Sequence, residues 1–268
     1  MGRQISVPCT TCWPGSSARH EGRAAAQSWL WAGPGTGETV SEVLLGESLA
    51  VLRVQGDWAS VRLDLDGYTG WIPRSLVVSS SEDATVACSA LRGHVYAEPH
   101  EASEVLAQLS LGARLWAGEE RVVDGRGWRA VRLPGGRPGW VGASLLRPSL
   151  WDPVDLALAF RGTPYRWGGR TAWGVDCSGL VQTVYAACGV QLPRDAGQQW
   201  AAAQQVGGPL SPTDQPRRGD LAYFPGHVGL MLSAHVMLSA TTYVMGLREE
   251  NLRASPYTAQ LLGFARVL

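Results

Sequence analysis

A cysteine and a histidine in the second half of the chain are the residues best suited to nucleophilic chemistry. Cys177 lies in the segment GVDCSGL at 174–180, where the neighbouring Ser178 and Gly179 are small enough to leave its sulfur accessible. At the start of a helix, the partial positive charge of the N-terminus lowers the pKa of a thiol and favours the thiolate. His227 follows a Pro-Gly turn, and imidazole is the natural base for a thiol nucleophile. The pair predicts attack of the sulfur on a carbonyl carbon.

The stretches around these two residues predict helices followed by strands. Asp152 and Pro153 are typical of a helix N-cap and first position, and Gly162 ends that helix. Apolar patterning predicts two more helices and then three strands, at 177–187, 196–205, 219–224, 227–232 and 235–240. Helices followed by an antiparallel sheet indicate an α+β domain.

The first half of the chain contains an internal duplication. Residues 56–63 (GDWASVRL) are echoed by 126–133 (RGWRAVRL), and GWI at 70–72 is echoed by GWV at 139–141. Each copy is a series of short β-branched runs broken by Gly, Asp and Pro, which is typical of a small barrel. Both copies resemble bacterial SH3-like domains. The second copy has GGRP where the first has a DGY turn, so we expect the first copy to carry more of the recognition.

Five blocks of the second half follow one another in a distinctive order. They are GTPYRWGG at 162–169, DCSGL at 176–180, LPRD at 192–195, RGDL at 218–221 and HVG at 227–229. In these blocks the chain resembles the NlpC-type cell-wall cysteine peptidases, which have a trimmed papain-like fold. With two SH3-like domains in front, the whole chain resembles bacterial γ-D-glutamyl-L-diamino-acid endopeptidases.

The resulting prediction is two all-β SH3-like barrels followed by an α+β papain-like catalytic domain. The barrels are predicted at 27–80 and 84–148 and the peptidase domain at 151–268. Residues 1–26 are predicted to be a disordered tail. Cys9 and Cys12 in this tail form a CxxC, but no second pair follows at zinc spacing.

The resemblance implies roles for residues of this chain. Cys177 is the nucleophile, His227 is the base, and Tyr165 lies beside the sulfur and helps the Cys177 backbone N–H hold the oxyanion. The residues implied to line the L-Ala and D-Glu pocket are Trp167, Asp176, Ser178, Asp195 and, from the first SH3-like domain, Tyr68. In this group the first SH3-like domain caps the active site and selects a free N-terminal L-Ala, whose ammonium suits acidic side chains. The acidic residue of the cap is either Glu38 or Glu42.

Four of these residues also have a purely structural interpretation. Tyr165 and Trp167 could be core aromatics. Asp176 could cap the helix that begins at Cys177, with or without a role in binding, and Asp195 could cap the third helix.

At the third catalytic position the sequence departs from the family. The polar residue that follows the base on the next strand, usually a histidine, is Ser239 here. If the hairpin turns near Ser233, residues 227 and 239 are cross-strand neighbours, and His235 lies too far along the strand to substitute. A hydroxyl can accept the imidazole N–H but lacks the bulk of a ring. We therefore expect a weakened enzyme, with a plain strand residue as the alternative interpretation of Ser239.

Composition excludes several other classes of protein. The 268 residues include 23 basic and 23 acidic side chains, and a net charge of zero argues against a nucleic-acid binder. No apolar run reaches the length of a membrane span, so no membrane partner is expected. No metal or organic cofactor is implied, and we expect a monomer. The N-terminus lacks the apolar core of a signal peptide, so we expect a cytoplasmic protein, or a secreted one if the true start lies upstream.

Together these features predict a cysteine peptidase that cleaves the γ-D-Glu–diamino-acid bond of muropeptides with a free N-terminal L-Ala. The expected partner is the peptide L-Ala-γ-D-Glu-diamino acid, and the expected role is recycling of wall fragments. Ser239 motivates the main alternative, a weakened or inactive wall-peptide-binding protein. A second alternative is an enzyme of the same fold that acts on other amides, as lipid acyltransferases do.

Overall fold

The structure is a computed structural model that describes residues 20–79, 84–146, 152–205, 208–210, 214–254 and 256–268. The chain divides into two compact units, with the boundary between Ser149 and Leu150. The predicted tail lies largely outside the described residues, and so do Cys9 and Cys12.

The N-terminal unit begins with a seven-stranded antiparallel sheet in the order β3-β2-β6-β5-β4-β1-β7. Strand β5 shows why these residues form a sheet, since Ala59, Val61 and Leu63 are buried and alternate with more exposed neighbours. The strands are β1 His20–Ala24, β2 Ser28–Trp31, β3 Thr39–Val43, β4 Ser48–Gln55, β5 Trp58–Leu63, β6 Thr69–Pro73 and β7 Val77–Ser79, with a 3₁₀ turn at Arg74–Leu76 before β7.

A second antiparallel sheet of six strands follows, in the order β10-β9-β13-β12-β11-β8. Its core includes Val95, Leu115, Val131 and Val141, together with Leu45 from the loop after β3. The strands are β8 Val86–Ala87, β9 Arg92–Tyr96, β10 Val105–Ser110, β11 Arg114–Val123, β12 Arg126–Arg132 and β13 Pro138–Gly142, with a 3₁₀ turn at Ala143–Leu146 after β13.

The two sheets share one strand order. The sequence β3-β2-β6-β5-β4-β1 in the first sheet corresponds strand by strand to β10-β9-β13-β12-β11-β8 in the second, and a 3₁₀ turn follows β6 and β13 alike. The segment GDW ends at Trp58, the first residue of β5, and the segment RGW forms the first three residues of β12. These two strands occupy equivalent places in the two sheets. The sequence repeat therefore coincides with a structural repeat.

One predicted boundary is wrong. Residues 20–26 were assigned to the tail, but β1 at His20–Ala24 pairs with both β4 and β7 inside the first sheet. Ala24 is fully buried in the core of that sheet. The strand escapes recognition because HEGRA contains Gly and charged residues, which are poor strand formers, and tertiary pairing overrides this preference.

The C-terminal unit combines three α-helices with two antiparallel sheets among its described residues. The helices are α1 Pro153–Ala159, α2 Cys177–Ala187 and α3 Ala196–Gln205. The larger sheet has the order β19-β18-β17-β16-β20. Its strands are β16 Leu221–Phe224, β17 His227–Met231, β18 Val236–Thr241, β19 Gly246–Asn251 and β20 Gly263–Ala265, and the small sheet consists of β14 Arg170–Thr171 and β15 Gly174–Val175.

Helix α2 and the central strands form the middle of this unit. Helix α2 contacts α1, β17 and β18, and every residue of β16 and β17 is buried. Strands covered on both faces read as continuous apolar runs instead of alternating ones. No helix within the described ranges is long and apolar enough to cross a membrane.

Local signals placed the helices correctly. The Asp152 carboxylate accepts hydrogen bonds from the N–H groups of Val154 and Asp155, both at 2.9 Å, and Pro153 occupies the first position of α1. Helix α2 begins at Cys177 as predicted, and Gly189 just beyond its end has a φ of 83°. The predicted bounds of α3 are confirmed as well.

Candidate active site

Cys177 occupies the first turn of α2, directly after its N-cap. Asp176 has extended backbone angles, and its Oδ1 accepts the Gly179 N–H at 2.7 Å. The N–H groups of a first helical turn have no acceptor within the helix, so the Cys177 N–H makes no hydrogen bond inside α2. The Cys177 residue is only 7% exposed. The predicted helix-start position of this cysteine is confirmed.

A buried ion pair lies under the cysteine. Arg194 and Asp176 form two hydrogen bonds, Nη1 to Oδ1 at 3.0 Å and Nη2 to Oδ2 at 2.6 Å, and both side chains are buried. Arg194 Nη1 also donates to Ser178 Oγ at 3.0 Å, and the Gly168 N–H donates to Asp176 Oδ2 at 2.8 Å. The Asp176 carboxylate therefore fixes the helix start, the preceding loop and the LPRD segment at one point.

This network bears on two predicted substrate ligands. Both oxygens of Asp176 already accept hydrogen bonds within the domain, and Ser178 Oγ contacts Asp176 and Arg194. The structure shows Asp176 as the N-cap of α2, which is the structural interpretation given above for this residue. A part in holding the peptide stays a prediction for both side chains.

The loop that carries Tyr165 and Trp167 packs backbone to backbone against the start of α2. A Cβ on Gly179 would lie 2.1 Å from the carbonyl oxygen of Gly169, so this contact requires glycine. Tyr165 is half-buried, and its N–H donates to the Met245 carbonyl at 2.9 Å. Trp167 is 62% exposed. The interpretation of Trp167 as a core aromatic is therefore wrong.

His227 begins β17 and is surrounded by aromatic rings. It lies opposite Phe224 of β16, at a ring-centroid distance of 5.9 Å. The Tyr257 ring stacks on the imidazole at 4.1 Å with an angle of 13° between the planes. The Nε2 atom of His227 is buried and has no hydrogen-bond partner within the described chain.

The sulfur of Cys177 lies at the start of β17. The backbone N–H groups of Val228 and Ser178 both act on the thiol, which places the sulfur beside the residue that follows His227. The structure therefore brings together the two residues that the sequence selected from distant segments. A thiol at a helix start and an imidazole at the start of an adjoining strand are the residue types that a nucleophile and its base require.

The charge state of this pair differs from the expectation. Burial, reinforced by the Asp176 carboxylate, raises the pKa of the Cys177 thiol to about 11, and the Val228 and Ser178 N–H groups and Arg194 offset this only in part. Burial lowers the pKa of His227 to about 4. The expected thiolate at rest is therefore wrong, because the loss of hydration outweighs the helix dipole. Both shifts favour the neutral forms, a thiol and an uncharged imidazole.

The predicted pairing of His227 with Ser239 is also wrong in register. In the paired part of the two strands, Leu230 lies opposite Leu238 and Met231 opposite Met237, a register that differs by two residues from the one that would pair 227 with 239. The hairpin is centred on Ala234 instead of Ser233, and a shift of one residue in the centre moves the register by two. Ser239 still shares a face with His227, but its buried Oγ has no partner within the described residues. An orienting role for Ser239 therefore remains a prediction without a hydrogen bond to support it.

The remaining predicted residues lie in different places. Asp195 is partly exposed and directly precedes α3, where its carbonyl accepts the Gln199 N–H at 2.9 Å. Tyr68 belongs to the N-terminal unit and packs against the first sheet's core. Of the two candidates for the cap, Glu38 is exposed, whereas Glu42 is buried in β3 and accepts a hydrogen bond from the Gln27 side chain. His235 is exposed in the hairpin turn.

Two residues near the pair were not singled out from the sequence. Arg194 lies within the LPRD block, but its ion pair with Asp176 joins segments far apart in the chain. Tyr257 belongs to no recognised block, and its contact with His227 depends on how the last strands fold back. The buried partner of a capping aspartate could have been sought among arginines, whereas no sequence signal points to Tyr257. Within the described residues, no group of three or more His, Cys, Asp and Glu side chains could hold a metal ion.

Comparisons with known proteins agree with this arrangement. The NlpC/P60 family model matches residues 162–266, and the model for the bacterial dipeptidyl-peptidase Sh3 domain matches residues 30–76. Dipeptidyl-peptidase 6 of Lysinibacillus sphaericus is 29% identical over 225 residues, which cover 76% of this chain and 80% of that protein. Gamma-D-glutamyl-L-lysine dipeptidyl-peptidase of Bacillus subtilis (strain 168) is 31% identical over 219 residues, 74% of this chain and 71% of that protein.

Among solved structures, the crystal structure of an NlpC/P60 family protein from Bacillus cereus has the same fold. It superposes with a TM-score of 0.79 at 20% identity and covers 92% of this chain and 99% of its own. Fold and site together define a Cys–His protein of the α+β class that carries an SH3-like domain in front. The chain belongs to the NlpC/P60 family, as the sequence blocks indicated, and this membership supports a peptidase.

Proposed function

We propose that this chain is a cysteine peptidase that hydrolyses the γ-D-Glu–diamino-acid bond of peptidoglycan peptides with a free N-terminal L-Ala. The observation that carries the proposal is the position of the Cys177 sulfur, at the start of α2 and beside the start of β17, where His227 lies. Both groups are buried, so the reaction proceeds in an environment with little water. The names of the Bacillus subtilis and Lysinibacillus sphaericus relatives support a dipeptidyl-peptidase, and that of the Bacillus subtilis relative supports action at a γ-D-glutamyl residue.

The neutral resting pair determines the first step. His227 takes the thiol proton as the Cys177 sulfur bonds to the substrate carbonyl carbon, so the base acts during the attack and not before it. The Cys177 backbone N–H and the Tyr165 hydroxyl stabilise the resulting oxyanion. Burial raises the pKa of the Tyr165 phenol above its ordinary value, as does the nearby Asp176 carboxylate, so this hydroxyl remains protonated and able to donate.

Three further proton transfers complete the cycle. The imidazolium returns its proton to the nitrogen of the leaving diamino acid, and the C–N bond breaks to leave a thioester on Cys177. Water then attacks the thioester while His227 accepts one of its protons, and the sulfur leaves as the thiol once that proton is returned. The products are L-Ala-D-Glu and the diamino acid or the peptide that it begins.

Several finer features belong to the same proposal. The shared strand order supports a second SH3-like barrel at the second sheet. Trp167, Asp195 and Tyr68 are proposed to contact the peptide, and Trp167 is exposed enough to do so. We propose a monomer that acts on released wall fragments in the cytoplasm.

Peptide hydrolysis provides the direct test of this function. Wild type, Cys177→Ala and Cys188→Ala are incubated with L-Ala-γ-D-Glu-L-Lys and L-Ala-γ-D-Glu-diaminopimelate, and L-Ala-D-Glu is quantified. Cys188 lies at the other end of α2, so its variant controls for the loss of a thiol. We expect product from wild type and Cys188→Ala and none from Cys177→Ala. Equal product from all three proteins contradicts the proposal.

The same assay separates the alternatives. Ser239 Oγ and His227 Nε2 are both buried without a hydrogen-bond partner among the described residues, which favours a wall-peptide-binding protein without catalysis as the second candidate. That candidate predicts peptide binding by calorimetry with no product from any of the three proteins. N-acetylated peptides test the recognition of the free amine, because equal cleavage of the blocked and free peptides rules out that part of the proposal.

A further inference from the structure

The environment of His227 contains an aromatic contact that no recognised motif accounts for. Tyr257 lies face to face with the imidazole, at 4.1 Å between the ring centroids and 13° between the planes. Phe224 contacts both rings, at 5.9 Å from His227 and 5.5 Å from Tyr257. The imidazole is therefore held on one face by a parallel ring and is flanked by a second ring.

Tyr257 is itself fixed in place. Its hydroxyl forms a 2.8 Å hydrogen bond with Oγ1 of Thr241, which is 1% exposed on β18. Its carbonyl accepts the Gln260 N–H at 2.9 Å, and the next residue, Thr258, donates its side-chain hydroxyl to the Leu252 carbonyl. The Tyr243 ring contacts Tyr257 edge-on at 5.5 Å. Because Tyr257 is held at both its hydroxyl and its backbone, its ring can keep a fixed orientation against the imidazole of His227.

Hydrogen bonds do not fix His227 in the same way. His227 Nε2 and Ser239 Oγ are both buried without a partner in the described chain. The hydroxyl of Thr241, on the neighbouring strand β18, is bonded to Tyr257 and accepts the Tyr243 N–H at 3.3 Å. The strand that would supply an orienting side chain to the imidazole instead anchors the ring stacked on it.

We propose that Tyr257 is the positioning residue for His227, and that it performs through stacking the task that a third polar residue would perform through a hydrogen bond. This inference rests on the proposed peptidase function. Stacking restrains rotation of the imidazole out of its plane, so that one ring nitrogen stays directed at the Cys177 sulfur. The face of the phenol ring also attracts the imidazolium that forms transiently when His227 takes the thiol proton.

The inference is tested by steady-state kinetics of Tyr257→Leu and Tyr257→Phe. Loss of the ring is expected to lower kcat about tenfold with KM changed less than about twofold, because His227 acts on the reacting atoms and not on binding. Tyr257→Phe keeps the stacking face and is expected to retain most of kcat. Trp200→Leu is the matched control, since the Trp200 ring contacts Tyr223 at 5.2 Å and an angle of 37° in the same unit. Its kcat is expected to match the wild-type value.

A second substitution connects the stacking to the missing polar residue. Ser239→His is expected to raise kcat modestly in the wild-type background, and to recover most of the loss in the Tyr257→Leu background. A purely structural role for Tyr257 predicts no such recovery, since a new side chain at position 239 does not refill the place of the lost ring. Melting temperatures of all variants identify loss of folding as a separate cause.

Alkylation separates failure of this inference from failure of the proposed function. The rate of iodoacetamide modification at Cys177, followed by mass spectrometry of the peptide that contains it, needs no substrate and depends on proton removal by His227. We expect a slower rate in Tyr257→Leu and in His227→Gln than in wild type, whether or not any wall peptide is cleaved. Wild-type rates of both alkylation and turnover in a folded Tyr257→Leu protein overturn the inference. A wild type that cleaves no peptide but keeps this pattern of alkylation overturns only the proposed function.

Discussion

The two halves of the Cys–His site, the surroundings of Cys177 and those of His227, are held by different kinds of contact. Around Cys177 the protein uses directional polar contacts, since Asp176 accepts hydrogen bonds from Gly168, Gly179 and Arg194. Around His227 it uses rings, with Tyr257 stacked on one face and Phe224 beside it. One reacting group is therefore held by charge and hydrogen bonding, and the other by shape.

This contrast suits the different tasks of the two residues. The nucleophile must stay in one place, and a buried carboxylate with several donors holds a helix start rigidly. In the proposed mechanism the base gains and loses a proton twice in each cycle, and a fixed carboxylate beside it would hold it in the charged form. Rings restrain the orientation of an imidazole without fixing its protonation state.

The largest effect is expected from breaking the polar half. Arg194→Met leaves the Asp176 carboxylate buried without its cation, which is expected to cost about 3–5 kcal/mol of unfolding free energy. Arg218→Met is the matched control, because Arg218 pairs with Asp152 at 2.8 Å on the surface with 43% of its side chain exposed. That variant is expected to lose less than about 1 kcal/mol. Urea denaturation measures the unfolding free energy of both variants. Similar losses would show that the buried pair contributes no more to stability than the surface pair.

A second, smaller effect concerns the charge of the aromatic half. The pKa of His227 is lowered to about 4 by burial, so between that value and its ordinary value the unfolded chain binds a proton that the folded chain does not. Stability from this group therefore rises with pH through this window and falls as pH drops below about 6.5, by about 2 kcal/mol at pH 5.

Comparing variants across pH isolates this contribution. The fall in unfolding free energy between pH 7 and pH 5 is expected to be smaller in His227→Gln than in wild type, because the variant has no imidazole to protonate. His235→Gln, at an exposed histidine of the hairpin turn, serves as the control and should follow wild type. Equal pH dependence in all three proteins would show that burial of His227 does not oppose its protonation.

The smallest expected changes in unfolding free energy come from substitutions at two buried serines, one from each half of the site. Ser178→Ala removes the acceptor of a 3.0 Å hydrogen bond from buried Arg194, and the expected loss of unfolding free energy is about 1–2 kcal/mol. Ser239→Ala removes a hydroxyl that has no partner in the described chain, so we expect a change within about 0.5 kcal/mol or a slight gain. Denaturation curves that rank the two variants in the opposite order would contradict the contrast between the halves.

The parts of the fold and site that the sequence predicts are those governed by short-range chemistry. Asp152 and Pro153 determine where α1 begins, and Asp176 and Gly189 bound α2, so local caps sufficed for the helices. Cys177 and His227 were selected because their residue types and neighbouring blocks are distinctive. Strand β1 was missed because its residues have little intrinsic preference for a strand and gain their structure from pairing with β4 and β7.

The remaining errors concern long-range packing. The register of β17 and β18 depends on a turn centred on Ala234, and nothing local distinguishes this from a turn centred one residue earlier. The neutral state of Cys177 follows from burial produced by the whole domain, which a helix-dipole argument leaves out. The contacts of Arg194 with Asp176 and of Tyr257 with His227 join residues whose separation in the chain carries no periodic signal.

The glycine contact between α2 and the preceding loop constrains how such a site can change its preferences. The Gly179 and Gly169 backbones meet without side chains between them. A shift of the loop that bears Tyr165 is therefore transmitted directly to the start of α2, where Cys177 lies. Remodelling that loop would displace the Cys177 sulfur as well. New specificity is therefore more accessible through exchange of exposed side chains on this loop, such as Trp167, than through loop remodelling. Directed evolution of this scaffold should begin at Trp167 and leave the two glycines untouched.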